Sequence, residues 1–592
     1  MSTPTDDQSV TALVAVANGQ VAPYPGAAAH PGGAPMAEAT WGAEGAGGVA
    51  GAWDAGGHRP RRWVRWVVTW LTWPIGLIEA AIVLFVCYLH VSRVEAVSSD
   101  GASNALQAWD MLHGNLLLRG WTLTDVSFYT TELPEYMIVE AIRGLHADVL
   151  HVSAAVTYTL LVLTGGLLAR GRAKGREGIL RFAIAAGIMV APQLGAGTFI
   201  LVFQPDHTGT QVPLLATWLV LDRAPRRWYR AYVPVVVALM LAWVAIADRL
   251  AVLIGVVPLA AVCAVRAYQA VVQRREKLRS AWFDLSLIVA AGASVEISDA
   301  VVKRIGEHGG YAVLPVASGL APVSEMSSHL WLMVESICGL YGADLFGMSS
   351  PGLNAGIAIL HLAGLALAAW ALWLVLRRFF RCDDLIAQVL AVGILINLAA
   401  YLLSTTPTTY WSAREIAGVL PMGAVLAGRM LAGRFRAARL VPAMAVVLAC
   451  YVAALGYTVA QPSVPAISQN LADWLTAHHF TYGLSSYGLA NTTTLASGGA
   501  VDLRPINWYN NDAAAGPYEF NQAWYDPQTH DANFVVLMNP PQPLDEIANW
   551  EILDRFGPPA QTYYVGEYVI MTYNTNLLTD LSPGLPNQPA AS

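Results

Sequence analysis

Charged residues are scarce in this sequence. Asp, Glu, Lys and Arg together make up 13% of its 592 residues, whereas 55% of the residues are hydrophobic. Soluble globular proteins contain about 25% charged residues, and the mean hydropathy of this chain is +0.46. The composition therefore excludes an ordinary soluble domain and predicts a polytopic α-helical membrane protein.

Cysteine is also rare, and the common nucleotide and protease motifs are missing. Cys87, Cys263 and Cys450 fall in apolar runs and Cys382 in a basic stretch, so Cys338 is the one cysteine expected outside the cell. This distribution supports neither a disulfide framework nor a CxxC metal site. A Walker loop, GxSxG, HExxH or dinucleotide fingerprint in a suitable context is absent from the sequence.

Basic residues almost disappear after residue 461, where Arg504 and Arg555 are the last two. The net acidic C-terminal segment excludes a nucleic-acid-binding role. Its short alternating runs predict a small α/β domain over 461–592, with Val565, Gly566 and Glu567 turning a hairpin. The predicted helices and strands are Leu471–His478 and Leu544–Phe556 (helices) and Asn533–Met538 and Tyr563–Tyr573 (strands).

Long apolar runs fill the middle of the chain, residues 59–460. A spanning helix needs about 20 apolar residues, and eleven runs qualify as candidates. They are 67–91, 149–169, 179–201, 207–222, 231–247, 249–268, 282–302, 353–376, 385–403, 415–432 and 439–460. Residues 1–58, rich in Ala, Gly and Pro, precede these runs and are expected to be a disordered cytoplasmic segment.

The distribution of Lys and Arg sets the expected orientation. With eleven spans and a cytoplasmic N-terminus, most of the 34 basic residues fall in cytoplasmic segments such as 59–65, 170–181 and 429–439. Basic residues accumulate on the cytoplasmic side of membrane proteins. We therefore expect a multi-pass protein of the cell membrane, with the C-terminal domain outside.

The outside loop 92–148 is the most informative stretch. Its segment Ser98–Pro134 is too polar for lipid, yet it combines acids with Trp, Phe and Tyr. Asp100 follows the first span closely, so its carboxylate is expected near the membrane surface and could accept a proton from a sugar hydroxyl. The alternative is a helix N-cap, because Ser98, Ser99 and Asp100 precede a helical run. Glu132 in the same loop is a second candidate acid.

Two short outside loops add polar candidates for substrate binding. Asp206 and His207 precede the fourth span and could bind the acceptor, a phosphate or a divalent cation, or could form a polar turn. Arg414 follows Tyr410 at the start of the tenth span. It could bind a lipid phosphate bidentately or pair with Glu415 at the interface.

These features together resemble the GT-C membrane glycosyltransferases, including the protein mannosyltransferase and aminoarabinose-transferase types. The resemblance rests on Asp100 in SSDGASNALQAWDMLHGN, the loop PDHTGT before the fourth span, and TYWSAREIAGVLP at a late span. A soluble outside tail completes the pattern. Gly101 stands where a second acid commonly follows the first Asp.

The resemblance implies inverting transfer of a sugar from a polyprenyl-phosphate donor to a glycan, lipid or protein acceptor. Asp100 would be the general base and Arg414 would hold the phosphate, with Asp206, His207, Tyr410 and Glu132 as substrate-binding candidates. Two alternatives remain open from the sequence. A transporter or flippase of a lipid-linked sugar or small solute would place polar residues at the bilayer midplane. A non-catalytic envelope assembly protein would use its tail for binding.

Overall fold

The computed structural model describes residues 62–224, 231–314, 319–346, 352–466, 468–509, 512–516, 519–539 and 547–582. The predicted disordered segment 1–58 lies outside these residues. The chain divides into two compact units, Met1–Val67 and Val68–Ser592. The second unit contains both the apolar helices that follow residue 67 and the C-terminal sheet, and it is the unit described below.

Helices dominate the described residues, because most of the chain consists of apolar runs that satisfy their backbone hydrogen bonds internally. The α-helices are α1 Arg62–Ser92, α2 Ser99–Leu112, α3 Glu132–Arg143, α4 Asp148–Arg170, α5 Gly175–Met189, α6 Ala196–Leu201, α7 Thr208–Arg223, α8 Tyr232–Ala247, α9 Val257–Tyr268, α10 Trp282–Glu307, α11 Met326–Leu340, α12 Leu353–Arg377, α13 Leu385–Leu403, α14 Val419–Ala437, α15 Val441–Val459, α16 Gln469–Ala477, α17 Tyr487–Ala496 and α18 Asn549–Phe556.

The chain is a multi-pass membrane protein. Within the described residues, seven helices are long and apolar enough to cross a bilayer, and an eighth is counted if the bent pair Tyr410–Ile416 and Val419–Ala437 forms one span. The seven are Trp73–Ser92, Asp148–Arg170, Val252–Gln273, Leu278–Glu307, Leu353–Arg377, Leu385–Leu403 and Val441–Val459. Helix also covers the other predicted spans, but α7 and α8 have only 16 residues each.

Two predicted spans are not the continuous helices that the hydropathy indicated. The span 179–201 is interrupted between α5 and α6, where Pro192 lacks a backbone N–H and Gly195 adopts a φ of +93°. The span 415–432 begins as a 3-10 segment, Tyr410–Ile416, which is bent by 49° from α14. The second interruption contains Arg414, and Tyr410 of the same segment donates a hydrogen bond to the carbonyl of Ala196 just after the first interruption.

The tail contains a six-stranded sheet of order β5-β4-β3-β7-β9-β8. Strand β3 runs parallel to β4 and β7, whereas the other neighbours are antiparallel. The predicted hairpin is present, since β8 and β9 pair Val565 with Tyr568 across Gly566 and Glu567. The strands are β3 Tyr482–Ser485, β4 Asp502–Tyr509, β5 Asp512–Ala515, β7 Phe534–Met538, β8 Gln561–Val565 and β9 Tyr568–Thr572.

A second, smaller sheet joins three distant parts of the chain. β1 (Trp121–Leu123) of the loop 92–148 pairs in parallel with β2 (Ala312–Val313) and antiparallel with β6 (Phe520–Asn521) of the tail. The rings of Trp121 and Trp524 also meet edge to face, 4.9 Å apart. This sheet fixes the tail against the loop 92–148.

Candidate active site

Asp100 lies in the first turn of α2, but it is not the residue that caps the helix. Ser98 is the N-cap, and its hydroxyl accepts a hydrogen bond from the backbone N–H of Gly101 at 3.0 Å. Because the cap position is filled by Ser98, the carboxylate of Asp100 makes other contacts. Its side chain is 28% exposed, so it can meet a ligand.

Arg414 makes the charged contact to Asp100. Its Nη1 donates to Oδ2 of Asp100 at 3.3 Å, and the guanidinium carbon lies 4.8 Å from the ring centroid of Trp411. Trp411 is in turn packed on Phe199 and Phe203, with ring centroids 5.0 and 5.7 Å away. The aromatic support orients Arg414, which is 30% exposed.

Asp206 is held beside Asp100 through amide side chains. Asn104, one helical turn after Asp100, donates to Oδ1 of Asp206 at 3.1 Å, and Gln204 donates to Oδ2 at 2.7 Å. Gln204 in turn accepts a hydrogen bond from the capping residue Ser98. Burial, with the negative charge of Asp100 nearby, raises the pKa of Asp206 to about 7.

Gly101 permits this close approach of the loop to α2. A Cβ at Gly101 would lie 2.5 Å from Cδ2 of Leu150 and 3.0 Å from Oε1 of Gln204. A second acid next to Asp100 would therefore displace the residues that hold Asp206.

The tail contributes two further residues to the same place. The hydroxyl of Tyr487, at the start of α17, lies 3.1 Å from Oδ1 of Asp100 and also contacts Oε2 of Glu519. Glu519 is only 5% exposed, and its backbone carbonyl accepts a hydrogen bond from Ser103 of α2 at 3.2 Å. We refer to Asp100, Arg414, Asp206, Tyr487 and Glu519 as the Asp100 cluster.

His207 and Glu132 are bound to protein groups rather than to Asp100. Nδ1 of His207 lies 3.0 Å from Oδ2 of Asp248, and both side chains are buried. Oε1 of Glu132 accepts from the backbone N–H of Thr210 at 2.8 Å, so Glu132 holds the first turn of α7. Burial raises the pKa of Glu132 to about 8. The predicted roles of both residues in substrate binding stay predictions.

Tyr410 has a local partner as well. Its hydroxyl donates to the backbone carbonyl of Ala196 at 3.2 Å, which ties the 3-10 segment containing Arg414 to α6. Tyr410 is therefore placed to position Arg414, and its predicted contact with substrate stays a prediction. Among the described residues, no group of three or more His, Cys, Asp or Glu side chains is arranged to hold a metal ion.

Comparison with known proteins gives partial structural overlaps and no sequence match. No family model matches the chain, and no curated protein matches it in sequence. The oligosaccharyltransferase AglB from Archaeoglobus fulgidus, solved with an inhibitory peptide and a dolichol-phosphate, is 12% identical. The alignment covers 78% of this chain and 69% of AglB, with a TM-score of 0.44.

ArnT from Cupriavidus metallidurans is also similar. The structure bound to undecaprenyl phosphate is 12% identical over 86% of this chain and 99% of ArnT, with a TM-score of 0.48. The apo structure is 13% identical over 87% and 100% of the two chains, with a TM-score of 0.40. Overlap at this level does not assign an activity to the chain.

Two residues of the Asp100 cluster, Tyr487 and Glu519, and the two amides that hold Asp206, Asn104 and Gln204, were not predicted from the sequence. Asn104 and Gln204 had a detectable signal, because Asn104 is one turn from Asp100 and Gln204 is in the same short loop as Asp206. Tyr487 and Glu519 had none, since each is an isolated polar residue in the tail, outside any motif. They reach Asp100 only because the tail folds back onto α2.

Proposed function

We propose that this protein is an integral-membrane glycosyltransferase that transfers a sugar from a polyprenyl-phosphate donor to an extracytoplasmic acceptor. The observation that carries the proposal is the pairing of Asp100 with Arg414, with Ser98 taking the capping role. A carboxylate that the helix does not use, next to a partly exposed guanidinium, supplies both groups that glycosyl transfer from a phosphate needs: a base and an anion-binding cation.

The proposed step forms one bond at the anomeric carbon of the donor sugar and breaks another. Oδ2 of Asp100 accepts the proton of an acceptor hydroxyl while that oxygen forms a bond to the anomeric carbon. The bond between the anomeric carbon and the phosphate oxygen breaks, and its electron pair leaves with the polyprenyl phosphate. Arg414 balances the charge of the departing phosphate, and the configuration at the anomeric carbon inverts.

The Asp100–Arg414 contact has to open during this reaction. Arg414 moves to the donor phosphate when the donor binds, which releases Oδ2 of Asp100 for the acceptor. The Asp206 carboxylate, held by Asn104 and Gln204, then has room to orient a sugar hydroxyl. Positioning two substrates in this way supplies much of the rate enhancement of such a reaction.

The proposal includes the topology of the chain. The N-terminus is cytoplasmic, eleven segments cross the membrane between residues 59 and 460, and residues 461–592 form an extracytoplasmic domain. This orientation is supported by the bias of Lys and Arg toward the proposed cytoplasmic segments. It places Asp100, Asp206 and Arg414 at the outer ends of helices, where lipid-linked sugars present their head groups.

The test is an assay of the purified full chain in lipid nanodiscs. A panel of polyprenyl-phosphate sugars is supplied with glycan, lipid and peptide acceptors, and product masses are measured. Transfer of one sugar that depends on Asp100 supports the proposal. Counterflow of intact donor across liposomes, without a new covalent product, would replace it with the transporter alternative.

A further inference from the structure

The C-terminal domain reaches the proposed base directly. Tyr487 follows strand β3 at the N-terminus of α17, and its hydroxyl is 3.1 Å from Oδ1 of Asp100. Glu519 lies behind Tyr487 and contacts the same hydroxyl. Tyr487, which Glu519 supports, therefore contacts Oδ1 of Asp100, whereas Arg414 contacts Oδ2.

Hydrogen bonds to α2 and to the loop 92–148 fix the position of Glu519. Its backbone carbonyl accepts from Ser103 at 3.2 Å, and the next residues form β6 against β1. The backbone N–H of Gln522 adds a hydrogen bond to the carbonyl of Gly120 at 2.9 Å. Glu519 adopts a φ of +54°, which non-glycine residues rarely take without a constraint of this kind.

The hydrogen-bond chain has one consistent direction. The hydroxyl of Tyr487 has a single proton, so it can donate to only one of its two carboxylate neighbours. Asp100 is ion-paired with Arg414, whereas Glu519 is only 5% exposed and no ion pair of Glu519 occurs among the described residues. Because an unpaired charge is costly to bury, Asp100 is the ionised carboxylate that accepts the proton of Tyr487. The oxygen of Tyr487 must then accept from Glu519, which requires that Glu519 carry a proton.

The surroundings of Glu519 favour that protonated form. Burial raises its pKa well above its usual 4.5, and the negative charges of Asp100 and Asp206 add to the shift. Hydrogen bonds that Tyr487 and Ser103 would donate to the ionised form act in the opposite direction. Within the part of the chain that the structure describes, the charged and titratable groups that act on Glu519 are Asp100 on α2, Asp206 in the loop before α7, and Tyr487 on α17.

We propose that Glu519, in its protonated form, and Tyr487 are positioning residues that hold Oδ1 of Asp100, so that Oδ2 faces the acceptor hydroxyl. The C-terminal domain thereby completes the active site instead of serving only as a binding appendage. The proposal rests on the proposed glycosyltransferase function. Asp100 stays aligned only while the carboxyl of Glu519 stays protonated and neutral.

A pH dependence follows from this arrangement. When Glu519 ionises, Tyr487 can no longer accept a hydrogen bond from it. The hydroxyl of Tyr487 then turns and donates to the new negative charge. Oδ1 of Asp100 then loses its hydrogen bond, and the carboxylate loses its fixed orientation. The transfer rate should therefore fall on the alkaline side as Glu519 loses its proton.

The experiment compares wild-type full chain with Glu519→Gln, Glu519→Ala and Tyr487→Phe in nanodiscs. The Glu519→Gln side chain keeps an N–H donor for Tyr487 at every pH. We expect it to transfer within a few-fold of wild type near neutral pH and to lack the alkaline fall. Glu519→Ala and Tyr487→Phe should lower kcat by about 10- to 100-fold, as expected for a displaced catalytic group, with the donor KM unchanged. Glu567→Gln, an exposed tail carboxyl, is the control for charge removal.

Thermal unfolding supplies a readout that needs no activity. Below the usual carboxyl pKa, Glu519 is protonated in both states. As pH rises above it, the unfolded chain ionises while the folded protein retains the proton, so wild type loses stability until the folded pKa is passed. The Tm of Glu519→Gln minus that of wild type should therefore increase with pH over this window, whereas Glu567→Gln should give a constant difference.

The outcomes separate the two proposals. An unchanged alkaline limb in Glu519→Gln, or a Tm difference that is flat with pH, overturns the role of a protonated Glu519. Wild-type KM and kcat in Tyr487→Phe overturn the positioning of Asp100. If wild type transfers no sugar from any donor, the proposed function fails, and the Tm series still decides whether Glu519 holds a proton.

Discussion

Nη1 of Arg414 lies 3.3 Å from Oδ2 of Asp100, although 314 positions of sequence separate the two residues. Asp100 belongs to the first turn of α2, and Arg414 belongs to the 3-10 segment Tyr410–Ile416 that precedes α14. Both are partly exposed, so the contact is open to competition from a substrate phosphate.

Asp100→Asn should lower transfer by about 10²–10⁴-fold, the usual size of a general-base contribution. Asn keeps the size and a hydrogen-bonding oxygen of the side chain but removes the basic carboxylate. Because Ser98 caps α2, the helix should keep its stability. Product mass spectrometry measures turnover, and donor binding is measured separately. Asp531→Asn, an exposed tail substitution, is the control; turnover of Asp100→Asn within a few-fold of wild type would remove Asp100 from the mechanism.

Arg414→Lys should weaken donor binding by about 10- to 100-fold, since hydrogen bonds to charged groups contribute about 1.5–3 kcal/mol. Lys keeps the positive charge but loses the planar fork that fits a phosphate. Direct titration with polyprenyl phosphate gives the Kd. Arg249→Gln disrupts an exposed ion pair with Asp299 and should leave the Kd unchanged. Equal affinities of Arg414→Lys and wild type would place the phosphate elsewhere.

Gly101→Ala should destabilise the protein by about 1–3 kcal/mol, as overpacked sites do. The added Cβ would meet Cδ2 of Leu150 at 2.5 Å. Gly306→Ala adds a methyl group to a helix with nothing within 4 Å and should be neutral or stabilising by up to about 1 kcal/mol. Thermal unfolding of both variants checks the contrast, and equal Tm values would show that the loop before α7 can move away from α2.

Arg429→Gln should destabilise the bundle by about 3–5 kcal/mol, because it leaves two carboxylates without their partner. Arg429 is buried and bonds Asp222 and Asp384, each at 2.8 Å, together with the carbonyl of Leu168. The matched control is Arg436→Gln, whose 4.0 Å pair with Glu177 is exposed and should contribute no more than about 1 kcal/mol. Comparable unfolding midpoints for the two variants would contradict this account.

Ala500→Cys, in a cysteine-free background, should react with impermeant maleimide in intact cells. Ala500 is exposed in the tail, and Glu276 is exposed in a basic loop on the proposed cytoplasmic side. Glu276→Cys should therefore react only after the membrane is permeabilised. The reverse pattern in folded protein would invert the proposed topology.

The sequence alone determined the features that depend on local composition. Apolar runs of about 20 residues must form helices in a bilayer, because no water is available to satisfy a free backbone. The helical bundle, the mixed α/β character of the tail and the hairpin at 565–567 followed from such local patterns. The interruptions at Pro192 and at Tyr410–Ile416 were missed, since hydropathy averages over a window and does not register a bent backbone.

Only the tertiary structure decided how the polar residues meet. The sequence left Asp100 as either a cap or a base, and the observed hydrogen bond from Gly101 to Ser98 assigns the cap to Ser98. His207 and Glu132 were substrate-binding candidates together with Asp206, and the structure places them against Asp248 and Thr210. Tyr487 reaches Asp100 because α17 packs on α2, and Glu519 is placed there by the pairing of β6 with β1. Contacts of this kind depend on how the chain folds back on itself, which no local pattern of side chains encodes.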